Sequence, residues 1–91
     1  MFVVIVKNKV KVEGKEEYID VSRKFASDMT KVDGCIDAKV LVSNQEEDVV
    51  LNYELWESEE VFKKYDGSVF LKYKPELREY FIGNITETFE V

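Results

Sequence analysis

The chain has 91 residues, 45% hydrophobic and 35% charged, with 13 basic against 19 acidic side chains. That describes one small globular domain spanning residues 1–91, and a net charge of −6 argues against a phosphate-backbone partner such as a nucleic acid. The absence of histidine and the single cysteine, Cys35, exclude a histidine base, a catalytic triad, a histidine or cysteine metal site and an intrachain disulfide.

Phe2 to Val12 reads as a first strand. Val4, Val6, Asn8, Val10 and Val12 share one face, and Val3, Ile5, Lys7, Lys9 and Lys11 share the other. Asn8 interrupts a valine stripe, so its amide either pairs with a neighbour or faces a ligand cavity. Phe2 to Val6 lacks the basic leader and cleavage site of a secretory signal. No run approaches the ~20 apolar residues of a membrane span. A cytoplasmic protein without membrane contact is therefore expected.

After the break at Gly14, Tyr18, Val21, Phe25, Met29 and Val32 recur at three- and four-residue steps, which predicts a helix to about Lys31. Asp33-Gly34 closes it with a turn. A second strand follows from about Cys35 to Ser43, with Ile36, Ala38, Val40 and Val42 on its apolar face and Cys35 as a half-buried strand residue. Asn44 to Asp48 has hairpin length, so the third strand pairs with the second antiparallel.

The third strand, up to Trp56, places Val50, Asn52, Glu54 and Trp56 on one face and Val49, Leu51, Tyr53 and Leu55 on the other. The second face is uniformly apolar. The first mixes an amide, a carboxylate and an indole, as the wall of a pocket does. Ser58 is the predicted N-cap of a short helix carrying Glu59 and Glu60 in its first turn. Asp66-Gly67 interrupts that helix, and helical character resumes from Ser68 to Phe81. Val69, Phe70, Tyr73, Leu77, Tyr80 and Phe81 lie inward, and Pro75 kinks the run or starts a new helix. Gly83 is punctuation, and Ile85 to Val91 alternates as a last strand.

The order is β-α-β-β-α-β, an α+β, ferredoxin-like split βαβ arrangement with a four-stranded antiparallel sheet and helices on one side. The open side then carries the row Leu51, Tyr53 and Leu55. A patch of that kind calls for a second subunit, so a homodimer packed sheet on sheet is expected.

The run Tyr53-Glu54-Leu55-Trp56-Glu57-Ser58-Glu59-Glu60 resembles the Y-E-x-W-x-S-x-E-A signature of the antibiotic biosynthesis monooxygenase (ABM) family. Val12-Glu13-Gly14-Lys15-Glu16-Glu17, Val32-Asp33-Gly34-Cys35 and Ser68-Val69-Phe70 resemble that family's helix entry, turn and later helix step, in the same order. The resemblance implies a dimeric α/β barrel and a cofactor-independent monooxygenase acting with O₂ on a phenol- or quinol-like aromatic small molecule. It implies Asn52 and Trp56 as catalytic pocket residues. Glu54 is either the proton acceptor or one half of a salt bridge to a Lys or Arg on the facing helix. Asn8, Phe25, Phe62, Tyr65 and Tyr73 would complete the substrate site. The haem-degrading branch of the same family carries a helix histidine where this chain has Tyr65. If haem binds at all, Tyr65 or Tyr73 could supply the ligand as a phenolate. Three readings stay open: a monooxygenase, a non-catalytic small-molecule or haem-binding dimer, and a structural module in which side chains close the Asn8–Asn52–Trp56 surface.

Overall fold

The computed structural model describes all 91 residues. The valine stripe forms β1 (Phe2–Val10), and a single 3₁₀ turn over Val12–Gly14 leads into α1 (Lys15–Met29). Then follow β2 (Cys35–Val42), β3 (Val49–Trp56), α2 (Glu59–Lys64), α3 (Ser68–Leu77) and β4 (Phe81–Glu90). The strands lie in the order β2-β3-β1-β4, every pair antiparallel. This is the expected ferredoxin-like α+β fold, with the second helical segment divided in two. No helix is long and apolar enough to cross a membrane.

The division follows from local chemistry. The Ser58 hydroxyl accepts from the Val61 N–H and caps α2. Asp66 Oδ1 accepts from the Ser68 N–H at 2.9 Å, and Gly67 takes a left-handed φ of 77° between the helices. Gly34 also has a left-handed φ, 88°, and a Cβ there would run into the Val61 side chain. Glycine is thus required twice over at the turn between α1 and β2, against which Val61 of α2 packs.

Five expectations are corrected. β1 ends at Val10, and Val12 is exposed at the start of the 3₁₀ turn rather than on the valine stripe. α1 ends at Met29, before Lys31, because Thr30 already closes the last turn through the Ala26 carbonyl. Pro75 starts no new helix. It sits in the last turn of α3, where the N–H it lacks leaves a single carbonyl unserved, and the helix stops at Leu77. β4 begins at Phe81 rather than Ile85, so Phe81 is a strand residue and not part of a helical face. A bulge between Cys35 and Asp37 turns Ile36 outward to 49% exposure and puts Cys35 fully into the core.

Two apolar clusters hold the helices to the sheet. One contains Phe2, Val4, Phe25, Met29, Cys35 and Trp56; the other contains Val10, Tyr18, Ile19, Val50 and Leu77. α1 packs over β2, while α3 leans mainly on α1 and hardly touches the sheet. Tyr73 and Lys72 of α3 both reach the Asp28 carboxylate of α1, and the Tyr73 hydroxyl holds that carboxyl below its ordinary range. No helix covers β4, whose residues are exposed almost throughout. A gap therefore opens between α3 and the β1–β4 side of the sheet.

The other side of the sheet has no helix. Strand registers align Leu41 with Leu51, Val3 with Leu55 and Phe89, and Lys7 with Ile85 there. Ile85 and Phe89 are exposed at 67% and 47%.

Candidate functional site

The gap is a cavity of about 600 Å³. Its floor is the polar-interrupted sheet face: Val4, Val6 and Asn8 of β1, Asn52 and Glu54 of β3, Asn84 and Thr86 of β4. Tyr18 and Phe25 of α1, Phe62 and Tyr65 of the α2 region, and Phe70, Lys74, Leu77 and Arg78 of α3 form the walls. Alternation along β3 aims both Asn52 and Glu54 inward, about 7 Å apart along the strand.

The amides are fixed in orientation by a short chain of bonds. Asn8 is buried, and its Nδ2 donates to the Val50 carbonyl at 3.1 Å and to Asn52 Oδ1 at 2.7 Å. A backbone carbonyl accepts only, so Asn8 must present its NH₂ there, and Asn52 must then present its oxygen to Asn8. The Asn52 NH₂ is left with no protein partner and a place on the cavity wall. Asn8 thus does both things the sequence left open: it pairs internally and it lines the cavity.

Glu54 meets no cation. None of the ion pairs in the molecule includes it, which removes the salt-bridge alternative. Its single side-chain bond comes from the Trp56 indole N–H to Oε1 at 3.0 Å. Burial pushes the Glu54 carboxyl above the ordinary glutamate range, and the indole bond offsets that only in part. A carboxyl in this condition exchanges a proton nearer neutrality than an exposed one does.

Phe25, Phe62 and Tyr65 line the cavity, while Trp56 and Tyr73 do not. Trp56 is fully buried beneath Phe62 and Tyr65, with ring centroids 5.4 and 5.6 Å away, and it reaches the site only through Glu54. Its indole N–H is spent on Glu54, and its ring has no place on the cavity wall. The Tyr73 hydroxyl is turned away to Asp28. Tyr65 Oη accepts the Val69 and Phe70 N–H groups that open α3, at 3.1 and 3.3 Å. Both candidate haem ligands are therefore committed to the fold, and the residues present do not fit a phenolate-ligated haem.

Sequence reasoning missed Tyr18. It is 4% exposed, its hydroxyl has no protein partner, and it lies on the cavity wall. Burial raises its phenol to about 12, so it stays a neutral donor. Ser22, one turn along α1, carries the one fully buried side-chain oxygen without a partner. Tyr18 shares its helical face with Phe25, and spacing alone cannot separate a core tyrosine from one whose tip emerges in a cavity.

The model of the antibiotic biosynthesis monooxygenase family matches residues 1–81. The chain belongs to that family. No functionally curated protein matches it in sequence. Among solved structures, it is similar to a Nitrosomonas europaea protein proposed to be an antibiotic biosynthesis monooxygenase, with a TM-score of 0.87 at 15% identity, covering 100% of this chain and 98% of that one. A Bacteroides thetaiotaomicron protein of unknown function, suggested to be an oxidoreductase, gives 0.82 at 24% identity with 99% and 96% covered. A conserved protein from Methanosarcina mazei Go1 gives 0.82 at 22% identity with 98% and 90% covered. At these identities the structures establish the shared fold.

Proposed function

We propose that the protein is a cofactor-independent monooxygenase that binds a phenol- or quinol-like aromatic in the cavity and promotes its reaction with O₂. The observation that carries this is a buried, cation-free carboxyl beside an unpartnered amide donor on the wall of an aromatic-lined cavity. Glu54 takes the phenolic proton, and the Asn52 NH₂ and the Tyr18 hydroxyl stabilise the oxyanion left behind. The electron-rich anion gives an electron to O₂. Recombination at a ring carbon and loss of water then complete the step. In sum the substrate loses two hydrogens, one from a ring carbon and one from its hydroxyl, and the ring carbon gains one oxygen atom while the second oxygen leaves as water. Oxygen uptake with a hydroquinone panel tests the reading. Binding without uptake by any member would make the protein a binding module instead.

Glu54→Gln separates proton transfer from architecture. Glutamine keeps an oxygen for the Trp56 N–H, so the local bond survives. Turnover is expected to fall about 10²- to 10⁴-fold, the usual worth of a positioned base. Stability should move the other way. Because burial raises the folded carboxyl above its unfolded value, wild type loses stability as pH rises through the folded pKa, and the variant does not. Thermal melts should coincide near about pH 4 and favour the variant at neutral pH. Equal melts at every pH would mean that Glu54 is not buried against its charge.

The helix-free sheet face is proposed as the surface of a homodimer. Leu41, Leu51, Leu55, Ile85 and Phe89 form an apolar row with nothing over it, and a two-fold axis covers such a row with its own copy. Leu55→Asp would place an unpaired charge at its centre and is expected to convert the dimer to monomer. Light scattering at micromolar concentration reads the result, and a monomeric wild type would contradict the proposal.

A further inference from the structure

We infer that the aromatic ligand of this cavity is an acid, whose carboxylate or comparable anionic group is held by Lys74 and Arg78. The inference rests on the aromatic-ligand reading above and adds the ligand's charge. Phe70, Lys74, Leu77 and Arg78 share one face of α3 and its C-cap, and all four line the cavity. Neither Lys74 nor Arg78 takes part in any ion pair, and neither side chain makes a hydrogen bond within the protein. Two like charges four residues apart on a helix repel each other. In a chain of net charge −6, carboxylates to relieve them are plentiful elsewhere.

The other charges facing the cavity do not cancel this pair. Lys63 adds a third cation, already paired with Glu59 at 3.8 Å. Asp66 is engaged at the start of α3 by the Ser68 N–H, at the opposite end of the helix from Arg78. Glu54 is held towards its neutral form by burial. An otherwise acidic protein thus presents a locally cationic wall, and in a partly enclosed cleft such a wall concentrates anions.

The geometry also separates the two ends of the ligand. Glu54 and Asn52 lie opposite Val4 and Val6 of β1, whereas Leu77 packs against Val10 and Phe81 pairs with Val10. From Val6 to Val10 is roughly 13 Å along the strand, a spacing that the long Lys74 and Arg78 side chains shorten. A fused bicyclic phenol with its acid group on the far ring suits this arrangement.

Titration calorimetry at neutral pH under argon, where no reaction with O₂ can intervene, with 2-naphthol and 6-hydroxy-2-naphthoate tests the inference. Wild type is expected to bind the naphthoate at least ~10-fold more tightly, a margin of about 1.4 kcal/mol. The margin should shrink in about 0.5 M salt. Lys74→Gln with Arg78→Gln in one chain should abolish it, so that the two probes bind equally well; both residues are exposed, and the fold should survive. Lys24→Gln, off the cavity, should preserve it. Equal affinities in wild type, a margin that survives the double substitution, or binding of neither probe would overturn the inference. A protein that prefers the naphthoate yet consumes no O₂ with any quinol overturns the oxygenase reading alone. Oxygen uptake from neutral quinols with no anion preference does the reverse.

Discussion

Asn52→Ala is expected to lower hydroquinone turnover by about 10²- to 10³-fold, the range for losing one preorganised oxyanion donor, with only a small change in melting temperature. The asymmetry comes from the bond chain. Removing Asn52 Oδ1 takes one acceptor from Asn8, but the Asn8 NH₂ keeps the Val50 carbonyl at 3.1 Å and has the Val6 carbonyl at 3.4 Å. No buried donor is orphaned, so the ~1–3 kcal/mol penalty of an unsatisfied group does not arise. The Asn52 NH₂, by contrast, has no role inside the protein. Parallel oxygen-uptake and thermal-melt measurements check both halves. A stability loss of several kcal/mol with turnover unchanged would make Asn52 a structural amide.

Trp56→Ala should do the opposite and unfold much of the protein before any chemistry can be read. The indole is fully buried between Phe2, Phe62 and Tyr65. Such truncations cost about 3–5 kcal/mol, a large share of the ~5–14 kcal/mol expected of a chain this long. Trp56→Phe keeps most of the packing and removes only the N–H. Glu54 then loses its one donor, so its carboxyl should titrate still higher, and the rising limb of the pH–rate profile should move to higher pH. An unmoved profile would show that Trp56 does not act through Glu54.

The helix-side face of β3 was readable because strand alternation is strict: once Val50 faces inward, Asn52, Glu54 and Trp56 must follow. Alternation gives a side, not a depth. Asn52 and Glu54 stop at the cavity surface, whereas Trp56 is roofed by Phe62 and Tyr65, and only the placement of α2 decides that. Tyr73 reads as a wall residue by helical spacing, yet Asp28 of another element captures its hydroxyl. The early start of β4 is hidden because Phe81 continues the four-residue apolar spacing of Tyr73 and Leu77, so nothing local marks the change from helix to strand. The bulge at Ile36 has no sequence signal at all, because it answers to the pairing of β3.

The way α3 is attached has a dynamic consequence. The sheet is tied by three backbone ladders, whereas α3 has no ladder and is held by side chains alone: Leu77 in the core, Phe70 and Tyr73 on Phe25, Tyr73 and Lys72 on Asp28, and the Tyr65 hydroxyl at its first turn. Local opening free energies follow such differences, so the amides of α3 should exchange with deuterium well before those of β1 and β3. The same helix supplies one wall of the cavity. A ligand that bridges α3 to the strand floor would slow exchange in α3 most of all, and leave the central strands, already near the global limit, almost unchanged. The protection pattern would then locate the ligand without a single substitution, because occupancy is written into the part of the molecule that opens most readily.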